Sequence, residues 1–300
     1  MPLSDLAVDT FLLLREAFFN KEGSPKSFSL PDKRNTQDDP FDKYIAGILV
    51  QKITDATCLT SPGPLIGPDM VIFRQNACDE ATSASLKTDI TRIIGMEVKK
   101  LERSRSGQIS RSTGLDYNTT PPCGTIRVYD AKDRTIDIRG FYLFVCQEPT
   151  LDGNIILSAL TLCDGDILNA DFSLYLQITG KRTKGVGLGT YGDGLNRNRP
   201  MLIFANPLGA AQLDHAATLV TRSNLSEENS RIGLVYQIGR TIPEGGQGIF
   251  YAYRTLEDIP QEWELQQLVD PFPKPVSNSA TSVRGKFKLP IHPVEESSSS

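Results

Sequence analysis

Residues 91–101 read TRIIGMEVKKL and contain the most informative pattern in the chain. Its apolar and β-branched residues predict a β-strand. Successive side chains of a strand point to opposite faces, so Glu97 and Lys99 share one face while Met96 and Val98 share the other. The pattern therefore predicts a strand inside a sheet, with an apolar core on one side and charged groups on the other.

Two helices and a shorter strand are predicted before this stretch. Residues 3–20 carry apolar side chains near helical spacing, which predicts an amphipathic helix. A second helix is expected to start near Pro40 and to end before Ser61, where the chain becomes rich in proline and glycine. Residues 69–73, Asp-Met-Val-Ile-Phe, follow as a short strand.

Further strands and one more helix are predicted after this stretch. The strands are expected at 124–130 and 135–146 (as a pair), 154–163, 201–204, 231–239 and 248–254. A helix is expected at 168–179 and a Gly-rich loop at 180–200. His215 lies in a possible further helix and is expected to be a structural or surface residue. This order predicts an α/β or α+β domain, with a mixed central sheet flanked by helices. We expect a single domain over residues 1–270, with its core at about 41–206 and additional strands at about 230–255, followed by a mobile Pro/Ser-rich tail at 271–300.

Composition excludes several classes of protein. The chain has 300 residues, a net charge of −4 and five cysteines without a CxxC pair, which argues against a structural zinc site or a disulfide framework. No stretch approaches the roughly 20 apolar residues of a membrane span, and no signal peptide is visible. We therefore expect a soluble, cytoplasmic protein with no membrane partner. The slightly acidic balance still allows a local basic groove.

Three residues form a candidate catalytic set. Pro68-Asp69 heads the short strand, and Glu97-Val98-Lys99 lies within the next one. Two carboxylates can hold one or two Mg²⁺ ions, which polarise a phosphate and supply hydroxide near neutral pH. A lysine beside them can orient the attacking water and offset charge in the transition state. These are the groups that phosphodiester hydrolysis needs.

The pair of half-motifs Pro68-Asp69 and Glu97-x-Lys99 resembles the PD-(D/E)xK nuclease superfamily, and within it the type II restriction endonucleases. The family core has the order helix, three strands, helix, strand, and the predicted elements of residues 41–206 can be matched to this order. The resemblance implies a restriction-endonuclease-like core in a prokaryotic, cytoplasmic enzyme that cuts double-stranded DNA. It also implies that Asp69 and Glu97 bind Mg²⁺ and that Lys99 is the catalytic lysine.

Two polar, basic segments are candidate DNA-binding loops. Arginine can pair with guanine through two hydrogen bonds, asparagine can pair with adenine in the same way, and serine or backbone amides bind phosphate. We expect double-stranded DNA with a GC-rich palindromic site, and a homodimer that matches its two-fold symmetry. The candidate residues are Lys100, Arg103, Arg105 and Arg111 in the first segment and Lys181, Arg182, Lys184, Asn196, Arg197, Asn198 and Arg199 in the second.

Other functions stay open on the sequence alone. A repair or recombination nuclease on the same core would read DNA structure rather than sequence. A non-catalytic DNA- or protein-binding module would use Glu97 and Lys99 as an ion pair at a strand edge. The large carboxy-terminal half favours the sequence-specific enzyme, because sequence readout needs additional loops. The family often adds an acidic residue from the preceding helix, and Asp42 or Asp55 could serve.

Overall fold

The N-terminal part of the chain forms two helices, as predicted. In the computed structural model, α1 covers Leu6–Phe18 and α2 covers Pro40–Lys52. Asp5 caps α1, because its side chain accepts a hydrogen bond of 2.7 Å from the Ala7 amide. The helix ends at Phe19, whose backbone is extended. The structure describes residues 5–32, 40–53, 55–61, 68–74, 86–104, 109–111, 124–129, 135–168, 211–213, 215–222, 224–225, 230–241 and 247–271.

Within these ranges, eleven strands form one mixed sheet. They are β1 (Ala56–Thr60), β2 (Met70–Arg74), β3 (Ile93–Arg103), β4 (Ile109–Arg111), β5 (Thr125–Tyr129), β6 (Thr135–Pro149), β7 (Ile155–Asp164), β8 (Ala216–Thr221), β9 (Ile232–Thr241), β10 (Gln247–Thr255) and β11 (Gln266–Pro271). The main order is β1-β2-β3-β6-β7-β8-β10-β9-β11, with β4 beside β3 and β5 beside β6. The β3–β6, β7–β8 and β9–β11 pairs are parallel, whereas the other pairs are antiparallel. The sequence-based expectation of a mixed sheet with helices is confirmed.

The two faces of the sheet have different surroundings. Met96 and Val98 of β3 belong to the largest apolar cluster, in which α1 and α2 pack on the sheet. We call this side the helix face. Glu97 and Lys99 lie on the other side, which we call the site face, where their register partners in β6 are Tyr142 and Phe144. A second apolar cluster lies on the site face, around these two aromatic rings.

The structure corrects several sequence-based assignments. Residues 56–60, expected at the end of a helix, form β1, and they pair with β2. Ala216–Thr221, next to a predicted helix at His215, is strand β8. The pairing of 124–130 with 135–146 is confirmed as β5 and β6.

Other expectations fall outside the described residues. They concern the helix at 168–179 beyond Leu168, the loop at 180–200, the strand at 201–204 and the tail beyond residue 271. In the parts of the chain that the structure covers, no helix is both long enough and apolar enough to cross a membrane.

Candidate active site

Strand pairing brings the three predicted catalytic residues together. Met70 of β2 lies opposite Met96 of β3 in an antiparallel pair, so the next positions place Asp69 opposite Glu97. Asp69 Oδ2 accepts a hydrogen bond of 2.7 Å from the Val98 amide. Lys99 Nζ lies 2.9 Å from Glu97 Oε1. Asp69, Glu97 and Lys99 therefore form one cluster at the start of β2.

Close packing beside this cluster depends on Gly95. A methyl group at Gly95 would lie 3.3 Å from Pro68 Cγ, 3.1 Å from Ile126 Cδ1 and 3.2 Å from Ile138 Cδ1. These distances are shorter than an ordinary contact, so the glycine is what lets Pro68 approach β3 so closely. Because Pro68 precedes Asp69, this packing helps to set the position of the Asp69 carboxylate against the strand.

The cluster is half-buried, which suits a site that must admit a substrate. The side chains of Lys99 and Glu97 are 21% and 20% exposed. A charge pair at this depth is screened less than one on the open surface, so its charges act more strongly on a bound group. With Asp69 included, the formal charge of the three residues is −1, which attracts a cation before it attracts a phosphate.

The donor set fits Mg²⁺ in chemical type. Mg²⁺ is commonly held by one or two carboxylates, with waters and substrate phosphate oxygens completing its shell. Asp69 and Glu97 supply two carboxylates on neighbouring strands, and the contact with Lys99 engages only Oε1 of Glu97. Within the described ranges, no cluster of three or more His, Cys, Asp or Glu side chains could hold a metal ion. A two-carboxylate site does not require such a cluster.

Of the two acidic residues considered around α2, Asp55 lies away from this cluster. Asp55 is paired with Arg74, at the opposite end of β2 from Asp69. The five residues of β2 separate the two ends by roughly 16 Å. Arg74 also contacts Asp9 and donates to the Thr91 carbonyl, so Asp55 belongs to a structural ion network. Asp42 lies in the first turn of α2, and this helix packs on the helix face.

Two candidate DNA-binding residues already have protein partners. Lys100 lies on the helix face, where Nζ is 5.8 Å from the centre of the Phe41 ring. Strand alternation explains this position, because Lys99 and Lys100 are adjacent and must point to opposite faces. Arg103 forms an ion pair with Glu148, with 3.1 Å between Nε and Oε1. A phosphate or base would have to compete with Glu148 for Arg103.

The structure describes only one of the remaining candidate DNA-binding residues. Arg111 lies in β4, which pairs with the end of β3. The residues outside the described ranges are Arg105, Lys181, Arg182, Lys184, Asn196, Arg197, Asn198 and Arg199.

Sequence reasoning missed the aromatic surface beside the cluster. Tyr142 and Phe144 are buried next to Glu97 and Lys99, and their ring centres lie 6.4 Å apart at an angle of 24°. Further along the same row, the hydroxyls of Thr161 and Thr218 are buried, with no hydrogen-bond partner among the described residues. The alternation of residues 140–146, GFYLFVC, contains the signal for the aromatic pair. The parallel pairing with β3 is not visible in it.

His215 lies in a different part of the sheet. Its backbone has a positive φ of 55°, and β8 begins at the next residue. It lines a polar cavity of about 350 Å³ together with Glu22, Arg254 and Asp258. Asp258 is also the partner of Arg15 in α1, so the cavity adjoins a structural ion pair.

No family model, curated protein or solved structure matches this chain. The functional inference therefore rests on the geometry of the described residues.

Proposed function

We propose that this protein is a Mg²⁺-dependent, sequence-specific DNA endonuclease of the type II restriction class. The observation that carries the proposal is the cluster of Asp69, Glu97 and Lys99 on two neighbouring strands. Its setting adds support, because α2 is followed by three consecutive paired strands, β1, β2 and β3. That is the first half of the order expected for a restriction-endonuclease-like core.

Each residue has a distinct role in this proposal. When Mg²⁺ is held by Asp69 and Glu97, it polarises the scissile phosphate and supplies hydroxide near neutral pH. The Val98 amide fixes the Asp69 carboxylate, so less reorganisation is needed during the reaction. The Lys99 ammonium group, held beside Glu97, offsets negative charge that develops on the phosphate oxygens.

The DNA partner belongs to the same proposal. Arg103 and Arg111 lie toward the far end of β3 from Gly95, so a duplex across the site would pass along this strand. We propose a GC-rich palindromic target, with the arginines of both basic segments sharing base and phosphate contacts. An enzyme of this class acts in the prokaryotic cytoplasm.

A non-catalytic binding module also has an observation in its favour. The contact between Lys99 and Glu97 is the ion pair which that function would use. In the sheet order β3 lies between β2 and β6, and Glu97 and Lys99 pair with β6, whereas the described β2–β3 pairing ends at Met96. Asp69, placed beside this pair, brings a second carboxylate that a simple ion pair does not need.

Plasmid digestion tests the proposal. We expect discrete fragments with Mg²⁺ or Mn²⁺, no cleavage in EDTA, and DNA binding without cleavage in Ca²⁺. Glu97→Gln should lower the cleavage rate by about 10²–10³-fold while DNA binding persists. Glu102→Gln is the matched control, because it removes a carboxylate from the same strand on the helix face.

Each contrary result has a defined meaning. Nicking that depends on DNA structure would point to a repair or recombination nuclease. If no duplex is cleaved under these conditions, the result would support the non-catalytic binding module. If the Glu97 and Glu102 variants cleave DNA at the same rate, Glu97 has no specific role in the reaction.

A further inference from the structure

The polar cavity beside His215 lies far from the candidate active site. Lys99 belongs to β3, whereas Arg254, which lines the cavity, lies near the end of β10. The sheet order β3-β6-β7-β8-β10 places four strand spacings between these two strands. At about 4.8 Å per spacing, they are roughly 19 Å apart across the sheet. The cavity is therefore distinct from the cluster around Glu97.

Three parts of the chain form the walls of this cavity. Glu22 and Gly23 come from the turn after α1, residues 215–217 from the start of β8, and residues 254–260 from the end of β10 and the segment that follows it. The volume of about 350 Å³ is in the range of small-molecule sites. Because the three parts are distant in the sequence, only the folded chain brings these walls together.

One side of the cavity is acidic and is organised by Arg15 of α1. Nη1 of Arg15 lies 3.6 Å from Glu257 Oε2, and its Nε donates to Asp258. Nη2 of Arg15 donates to the carbonyl of Lys21 at 3.2 Å, next to Glu22. Arg15 neutralises Asp258, whereas the side chains of Glu22 and Glu257 are exposed. This side therefore presents two carboxylates to a ligand.

The side formed by β8 and β10 is basic. Arg254 donates to the Gln212 carbonyl through Nη2, and its guanidinium lies 5.8 Å from the centre of the Tyr236 ring. These contacts hold the group in place without neutralising it, because Arg254 forms no ion pair with any residue in the described ranges. Its Nε is buried and has no hydrogen-bond partner there. His215 adds an imidazole to this side, with a φ of 55° that is uncommon for a residue with a side chain.

We infer that this cavity binds a small zwitterion that carries an ammonium and a carboxylate group, such as a free α-amino acid. A carboxylate matches the planar guanidinium of Arg254, and the His215 imidazole supplies a further donor. An ammonium group matches the carboxylates of Glu22 and Glu257. A simple anion would be repelled by the acidic side and a simple cation by Arg254, so a ligand with both charges is favoured.

Isothermal titration calorimetry with the full chain tests the inference. The titrants are the standard L-amino acids, one at a time, without DNA or Mg²⁺, and we expect at least one of them to bind. Two analogues of that amino acid then serve as probes, the amine that lacks its carboxylate and the acid that lacks its amino group. Each should bind at least about tenfold more weakly, because each loses charge-assisted hydrogen bonds on one side of the cavity.

Two variants test the two sides of the cavity. Glu22→Gln removes a carboxylate from the acidic side, and Arg254→Met removes the guanidinium but keeps an unbranched side chain beside Tyr236. Each should weaken binding of the amino acid by about tenfold or more. Because Glu22 is exposed, its variant keeps the test valid even if Arg254→Met fails to fold. Glu262→Gln, at an exposed position outside the cavity, is the control and should bind like the parent.

Several results would overturn the inference. They are a lack of binding by every amino acid, equal binding of either analogue, and unchanged affinity in the Glu22 variant. Equal weakening by the Glu22 and Glu262 substitutions would also overturn it, because the effect would then come from net charge rather than from the cavity. Since these titrations contain neither DNA nor Mg²⁺, their outcome is separate from that of the cleavage assay.

Discussion

The two faces of β3 carry different side chains and lie in different surroundings. On the helix face, Met96 and Val98 pack beneath α1 and α2 in the largest apolar cluster. On the site face, one residue away, Glu97 and Lys99 form a half-buried charge pair. One strand therefore contributes to the apolar core on one side and, under the proposed function, to catalysis on the other. A substitution can therefore affect stability or activity separately.

The largest effect on stability is expected at the buried ion pair between Arg15 of α1 and Asp258. Arg15 of α1 is buried, and its Nε donates to Asp258 Oδ2 at 2.8 Å. Arg15→Met leaves Asp258 without this partner and should lower the free energy of unfolding by about 3–5 kcal/mol. Lys52→Met removes the exposed contact with Glu16 and should cost about 0–1 kcal/mol. Urea denaturation measures both, and equal losses would contradict the distinction.

The neighbouring lysines test the difference between the faces directly. Lys99→Met should slow DNA cleavage by about 10²–10³-fold, because it removes a positive charge from the site face. Lys100→Met changes the residue that contacts Phe41 on the helix face, and cleavage should stay within a few-fold of the parent. Single-turnover cleavage rates at saturating Mg²⁺ give the comparison. Equal loss in both variants would show that Lys100 also serves the DNA.

A pH-dependent effect is expected at the start of α1. Burial raises the pKa of Asp5 from its ordinary value of 3.8 to about 6, against hydrogen bonds from the Ala7 and Val8 amides that lower it. Between these values the folded protein binds more protons than the unfolded chain, so stability falls as the pH rises from about 4 to about 6. This contribution amounts to at most about 3 kcal/mol.

Asp5→Asn keeps a good helix cap and should remove this fall in stability. The difference in unfolding free energy between variant and parent should therefore grow from pH 4 to pH 6 and then stay constant. Asp152→Asn is the control. Hydrogen bonds from Thr150 and Asn154 hold the pKa of Asp152 below its ordinary value, so its effect lies below pH 4. A constant difference for Asp5→Asn across this range would contradict the assignment.

The smallest effects are expected at two glycines, one on each side of the sheet. Gly47 lies within α2, and a methyl group there would meet nothing within 4 Å. Gly47→Ala should therefore stabilise the protein by about 0.5–1 kcal/mol. Gly95→Ala would crowd Pro68 and the two isoleucines, so it should destabilise the protein by about 1 kcal/mol and slow cleavage. Thermal unfolding and cleavage rates distinguish the two, and a faster Gly95 variant would contradict this packing argument.

The local pattern of the sequence predicted much of the candidate site. Alternation within GMEVKK placed Glu97 and Lys99 on one face and Met96 and Val98 on the other, which the structure confirms. The same alternation separates Lys100 from Lys99, but proximity along the chain grouped Lys100 with the arginines that follow it. Periodicity is informative here because β3 has a different environment on each side.

The long-range arrangement could not be predicted in the same way. β6 lies beside β3 in a parallel pair, and parallel partners are joined by long connections that leave no local signal. For this reason Tyr142 was not expected beside Glu97. β1 was assigned to the preceding helix because the first stop signal after Pro40 is the proline- and glycine-rich stretch that begins at Ser61. Only pairing with β2 makes that segment a strand.

The contact between Arg15 and Asp258 has a consequence for biosynthesis. The two residues are 243 positions apart in the chain. A ribosome that adds about 5–20 residues per second needs on the order of 10–50 s to travel from one to the other. During that interval the nascent α1 has no carboxylate partner for Arg15, and its apolar side lacks the later strands that cover it. Until translation passes Asp258, the newly made amino-terminal segment therefore exposes apolar surface that the complete fold buries.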